Sequence, residues 1–365
     1  MKRRISRRSI ARRLKSIMTG WTWDADEAPL HKITQTPDKT FLGVSNTTDL
    51  ITSDLIHQRV HNGDHTFHRE LTVLSHRPQW MSWMEQQYAE GLITESGAHH
   101  GWVLVNSDTR DFLTYRISSD SVIISLYGGS HFIKSVMQLI ESSFEVVTAH
   151  IEWVYTTDGS SINVPLSRNN LPVEEMYPFL NGETLDSYYA RYMNSSSNIL
   201  LLIGPPGTGK TTFIRGLLAS TSSSALVTYD TNILEKDYVF AQFMDGDASV
   251  MVLEDSDNFL KSRSDGNSMM HRFLNVGDGL VTTRNKKLIF STNLPSVRDI
   301  DPALIRPGRC FDIVTFDRLS QDDAEVLAAK MGVELTETRN DWTIAEVFNQ
   351  QRTTSKPNSQ KVGFV

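Results

Sequence analysis

Four apolar residues, Leu200-Leu201-Leu202-Ile203, run directly into Gly-Pro-Pro-Gly-Thr-Gly-Lys-Thr at 204–211. A buried strand, a Gly-x-x-x-x-Gly-Lys-Thr loop and a helix after it make a phosphate-binding turn, and few short sequences constrain a fold more tightly. Glycines at 204, 207 and 209 let backbone N–H groups turn inward with no Cβ in the way. Lys210 offers a point charge to β- and γ-phosphates, Thr211 offers a hydroxyl to magnesium, and the helix N-terminus faces the anion. Gly204, Pro205, Pro206, Gly207, Thr208, Gly209, Lys210, Thr211 and Thr212 are the expected nucleotide-binding set. A chance Gly/Pro turn ahead of a lysine is the alternative, and the flanking strand and helix count against it.

The loop sits in an alternating pattern. Strands are expected at 199–203, 225–229, 250–253 and 287–291, with helices at 210–219, 237–243 and 268–274 between them. Short apolar strands separated by amphipathic helices imply an α/β fold with a parallel sheet covered on both faces. After Phe316, Ser320 with Asp323 reads as a helix N-cap, and Thr343 with Glu346 as a capping box, so a small helical lid should complete the chain. The expected organisation is a basic tail at 1–22, an α+β N-terminal domain at 23–168, a core at 169–317 and the lid at 318–365. In the N-terminal domain strands are expected at 102–106, 112–117, 121–127, 144–155 and 161–166, with a helix at 132–141 and an Asp158-Gly159 hairpin turn. Residues 21–100 are polar, with a helix-like stretch near 78–91 whose Trp80, Met81, Trp83 and Met84 read as a small core or an interface.

The strand at 250–253 ends in Glu254-Asp255-Ser256-Asp257. A carboxylate at the C-terminal edge of a parallel strand beside the phosphate loop can hold a magnesium shell, and a second can orient the attacking water. Glu254 takes the magnesium side with Thr211, and Asp255 the water side. Asp257 is a solvated strand end or the cap of the next element. Asn293, closing the strand at 287–291, is either a sensor of the γ-phosphate or an ordinary turn residue. Arg306 and Arg309 flank a Pro-Gly turn; they suit charge stabilisation of a phosphoryl group in trans, or a surface turn with salt bridges.

Composition narrows the setting. The single cysteine, Cys310, leaves no disulfide framework, and no run of about 18 apolar residues encodes a membrane span; a soluble, cytoplasmic protein is expected. The formal net charge of −7 hides eight Lys or Arg and no acid in residues 1–15. That tail is a solvated arm, an organelle presequence, or an arm for nucleic acid or anionic lipid.

The phosphate loop, the acidic strand end, Ser-Thr-Asn at 291–293 and Asp-Pro-Ala-Leu-Ile-Arg-Pro-Gly-Arg at 301–309 together resemble the AAA ATPases over about residues 170–330. Within that family, the 24 residues between Tyr229 and Glu254, the Glu-Asp order and Phe273–Gly279 are similar to the mitochondrial branch that moves the folded Rieske iron-sulfur protein. That branch begins with a transmembrane helix, which is not expected here. The resemblance implies a P-loop AAA core, ATP and Mg2+ as cofactors, hydrolysis of ATP to ADP and phosphate, and a homo-oligomeric ring, hexameric or heptameric, with arginines acting in trans. It further implies chaperone-like remodelling or translocation of a protein partner. Asp230-Thr231-Asn232-Ile233-Leu234, after the second strand, lacks the aromatic-Gly pair of threading members, so extended chain is not the expected cargo. The alternative is a nucleic-acid-associated AAA ATPase of the clamp-loader, replication or packaging kind, using the basic tail.

Overall fold

A computed structural model describes residues 31–33, 47–88, 92–96, 99–106, 108–169, 171–260, 273 and 286–354. The basic segment 1–22 lies outside them, as does the helix expected at 268–274 apart from Phe273. The chain divides into two compact units, Met1–Leu71 with His76–Ser142, and Thr72–Ser75 with Ser143–Val365.

The first unit is built on an antiparallel sheet, order β1-β2-β6-β5-β4-β3, of β1 (His31–Ile33), β2 (Thr66–Leu74), β3 (Leu92–Ser96), β4 (His100–Asn106), β5 (Asp111–Ile117) and β6 (Ser121–Gly128). Helices α1 (Thr47–His61), α2 (Arg77–Gln87) and α3 (Ser130–Ser143) accompany it. On α2, Trp80, Trp83 and Met84 are buried, Trp80 stacks on Trp83 at 5.2 Å, and Tyr115 from β5 meets Trp80 edge-on, so the tryptophan cluster is core. Arg59 at the end of α1 forms a buried ion pair with Asp111 at 2.7 Å. A buried charge persists only when paired and hydrogen-bonded, and Asp111 also accepts from the Gly129 N–H.

The second unit carries β7 (Glu145–Val147), β8 (His150–Val154), β9 (Ser161–Pro165), β10 (Ile199–Ile203), β11 (Ala225–Val227), β12 (Val250–Leu253), β13 (Lys287–Thr292) and β14 (Cys310–Thr315). Its main sheet has the order β14-β10-β13-β12-β11-β8-β9, parallel from β14 through β8. Helices α4 (Leu185–Asn194), α5 (Lys210–Ser220), α6 (Thr231–Leu234), α7 (Asp237–Asp245) and α8 (Asp257–Leu260) precede two more, α9 (Gln321–Met331) and α10 (Ile344–Thr354). β10 is central and buried along its whole length: Leu200 and Leu202 enter one apolar cluster, and Ile199, Leu201 and Ile203 the other. A strand covered on both faces reads as an unbroken apolar run for this reason.

One placement departs from expectation. The sequence assigns the hairpin strands at 144–155 and 161–166 to the N-terminal domain. In the structure the first is broken at Thr148-Ala149, and β8 pairs in parallel with β11, so β8 and β9 extend the main sheet. The free edge of β11 needs hydrogen-bond partners. Ile151 and Val154 also point to opposite apolar clusters, which only a two-faced sheet position allows. Gly159, at φ +89°, makes the turn.

Both expected caps are present at the C-terminal end. Ser320 Oγ accepts from the Asp323 N–H, and Gly332 closes α9 in the left-handed region. Glu346 accepts from the Thr343 N–H at 2.7 Å while Thr343 Oγ1 accepts from the Glu346 N–H at 3.2 Å, the reciprocal capping box. The Thr343 backbone, its hydroxyl and Arg339 hold the Glu346 carboxyl down to about 2. Trp342, Ile344 and Val347 join the same apolar cluster as Leu200 and Phe213, which seats α10 on the core.

Candidate active site

The phosphate loop leaves the C-terminal end of β10, between β14 and β13. Its glycines are required by crowding and by backbone conformation. A Cβ on Gly204 would lie 2.2 Å from the Phe316 carbonyl oxygen. Gly209, at φ +88°, would bring one within 2.9 Å of Ile344 Cδ1 and 3.3 Å of the Tyr177 ring. The loop is braced from outside as well. Tyr177 donates its hydroxyl to the Gly209 carbonyl at 3.0 Å, Thr208 donates to the Pro205 carbonyl, and the Ala345 N–H at the start of α10 donates to the Gly207 carbonyl at 3.1 Å. Pro206 and Gly207, the outer turn, are open to solvent, whereas Thr208 and Lys210 are buried and Thr212 is half-buried.

Lys210, the first residue of α5, curls its ammonium back into the loop. Nζ donates to the carbonyls of Gly204 at 2.6 Å and Pro205 at 3.0 Å, and to Asn293 Oδ1 at 2.9 Å. Burial lowers its pKa, against the pull of the Asp255, Asp257 and Glu254 charges. The other end of the Asn293 amide, Nδ2, donates to Asp255 Oδ1 at 3.1 Å. Asn293 therefore spans Lys210 and Asp255. The amide O and N assignment comes from this pairing, since the reverse would set two donors against each other.

Glu254 and Asp255 have different surroundings. Thr211 Oγ1 donates to Glu254 Oε1 at 2.5 Å, which joins the two candidate magnesium ligands. Asp255 is exposed, turned away from the strand by a φ of +47°. Left-handed backbone is costly for most L-residues and least so for Asn and Asp. That conformation is a physical reason for Asp, rather than Glu, in second place.

Asp257 does more than close a strand end. Its Oδ1 accepts from the Thr292 hydroxyl and from the Asn293 N–H at 3.0 Å, so it fixes the backbone from which the Asn293 amide projects. Ser256, fully buried, donates its hydroxyl to the Ser291 carbonyl. Tyr177 and Tyr229, which reach the loop and Glu254, carry no signal in the sequence. Their partners are 32 and 25 residues away, and no local spacing announces them.

The two arginines are not brought to this cluster. The Arg309 carbonyl accepts from the N–H groups of Asn198 and Ile199, which places the Pro-Gly turn at the N-terminal end of β10. The phosphate loop leaves the opposite end, five residues away or about 16 Å at strand rise. Arg306 is exposed, and Arg309 Nη1 donates to the Ala303 carbonyl at 3.2 Å.

The donor set fits a magnesium–nucleoside triphosphate. A hydroxyl and a carboxylate offer the hard oxygen ligands that magnesium takes, a lysine stands as a point charge in a loop of inward-turning backbone, and a second carboxylate waits beside an amide. Among the described residues no cluster of three or more His, Cys, Asp or Glu side chains could hold a metal alone. No helix among those residues is long and apolar enough to cross a membrane.

Residues 200–318 match the family described as "ATPase family associated with various cellular activities (AAA)". The chain is 31% identical over 171 residues to the 26S proteasome regulatory subunit 8 homolog of Schizosaccharomyces pombe, covering 41% of this chain and 42% of that protein. It is 33% identical over 128 residues to the 26S proteasome regulatory subunit 10B of Dictyostelium discoideum, covering 30% and 32%. To the ATPase family gene 2 protein of S. pombe it is 26% identical over 189 residues, covering 48% and 22%. The chain spans less than half the length of each of these relatives. Residues 200–318 are an AAA ATPase domain.

Proposed function

We propose that the chain hydrolyses ATP to ADP and phosphate at this site and couples the hydrolysis to remodelling or moving a protein partner as a homo-oligomeric ring. The observation that carries the reading is the Asn293 amide, held between Lys210 and Asp255. A group in that place answers to phosphate charge on one side and to the water-activating carboxylate on the other. Lys210 and the loop N–H groups bind and orient the phosphates, Thr211 and Glu254 hold magnesium, and Asp255 orients water and takes its proton. Magnesium, when bound, neutralises charge on the β- and γ-phosphates.

Arg306 and Arg309 lie at the far end of β10 from their own loop, so each site takes its arginine from a neighbouring copy. A head-to-tail contact of that kind closes into a ring when the rotation allows. Two features of the sequence, the short span from Tyr229 to Glu254 and the Glu-Asp order, favour the branch that moves a folded cargo. The names of two of the relatives place them in a proteasome, which supports a protein client over nucleic acid.

A substrate-trap pull-down tests the coupling. Asp255→Asn chain loaded with ATP and magnesium in its native extract should retain a stoichiometric protein that survives nuclease and leaves on exchange to ADP. Capture of DNA or RNA, or of proteins lost on nuclease treatment, would overturn the protein-client reading in favour of a nucleic-acid motor acting through the basic tail.

A further inference from the structure

Tyr229 is two-thirds exposed, and two contacts hold it in place. Its hydroxyl donates to Glu254 Oε2 at 3.2 Å, and its ring meets Trp153 edge-on at 6.4 Å, with Tyr155 also packed on Trp153 at 5.9 Å. The register explains the first contact. Ala225 pairs with Val250 and Val227 with Val252, so continuing both parallel strands by two residues sets Tyr229 opposite Glu254 on the same face.

The two oxygens of Glu254 are thereby divided. Oε1 accepts from Thr211 and Oε2 from Tyr229. A glutamate at this strand end has one more side-chain torsion to freeze than an aspartate would, and Thr211 alone constrains a single oxygen. The Tyr229 hydroxyl supplies the second point needed to fix both the torsion and the plane of the carboxylate. The Trp153 edge limits the swing of the phenol ring.

We propose that Tyr229 is a positioning residue for the magnesium side of the site: its hydroxyl holds Glu254 in the rotamer that turns Oε1 to Thr211. This rests on the reading of Glu254 as the magnesium-side carboxylate. Outer partners that orient a ligating carboxylate typically change metal affinity by roughly tenfold or more when removed.

The test is an equilibrium titration. Full-length chain is bound to a fluorescent ADP analogue, and Mg2+ is added to track the magnesium-dependent tightening. Tyr229→Phe, which keeps the ring and its Trp153 contact, is expected to raise the half-saturating Mg2+ roughly tenfold. Affinity in EDTA and the thermal midpoint should stay at wild-type values. Glu254→Gln should raise the Mg2+ requirement at least as far, and adding Tyr229→Phe to it should raise it no further. The inference is overturned if Glu254→Gln shifts the requirement and Tyr229→Phe does not, or if Tyr229→Phe adds its full effect on top of Glu254→Gln. An unchanged requirement in Glu254→Gln would instead remove the reading of Glu254, and the inference with it.

Discussion

Lys210→Ala is expected to reduce ATP hydrolysis at least a hundredfold and to weaken nucleotide binding with it. The ammonium reaches the loop interior, where it contacts two loop carbonyls and Asn293. Around it stand Glu254, Asp255 and Asp257, which raise its pKa against the effect of burial. Without the lysine a triphosphate would meet Glu254, Asp255 and Asp257 with no cation from its own loop to offset them. Removing a single preorganised donor to developing charge costs on the order of a hundred- to a thousandfold in rate, and here the donor also contributes to ground-state binding. The fold should survive, because truncating the lysine opens room for water to meet the acceptors it orphans, the carbonyls of Gly204 and Pro205 and Asn293 Oδ1. Phosphate release, nucleotide titration and a melting curve on the same preparation check all three expectations.

Asp255→Asn should separate binding from chemistry. Asparagine is isosteric, tolerates the φ of +47° and can still accept from Asn293 Nδ2 through its own oxygen. What disappears is the negative charge proposed to orient water and take its proton. Positioned general bases contribute about a hundred- to ten-thousandfold, so kcat should fall by two orders of magnitude or more while ATP affinity remains near the wild-type value. Asp255→Ala would confound the result, since alanine in left-handed backbone adds roughly 1–2 kcal/mol of strain. A rate close to wild type in Asp255→Asn would move the water-orienting role to Glu254 and undo the division of labour between the two acids.

Much of this site is legible in the sequence because its chemistry is local. The run from Ile199 to Thr211 carries its own strand, turn and helix start, and β10 and β12 fall on the residues their apolar runs mark. The caps at Ser320 and Thr343 are legible for the same reason, since a cap and its partner lie three residues apart. The clustering of Thr211, Glu254, Asp255 and Asn293 is deducible because parallel strands deliver their C-terminal ends to one edge.

The rest depends on contacts that no spacing encodes. Asp257 reads as a spare acid until the Thr292 hydroxyl and the Asn293 N–H are found on it. Helix α1 leaves no periodic signal because the apolar residues in its sequence do not recur on one face of a helical period. The β8–β9 hairpin is legible as a local turn, but its membership in the main sheet is decided by the free edge of β11, dozens of residues away.

The most direct measurement of a site built by one copy and completed by the next is a mixing experiment. Lys210→Ala chains have a dead site and intact arginines; chains carrying Arg306→Ala and Arg309→Ala have an intact site and none. Each should be inactive alone. Mixed in equal amounts at random, about a quarter of all subunits would pair an intact site with an intact neighbour across a head-to-tail interface, and phosphate release should recover to about that fraction of wild type. No recovery from chains shown to co-assemble, or full activity from the arginine variant alone, would contradict a site completed in trans.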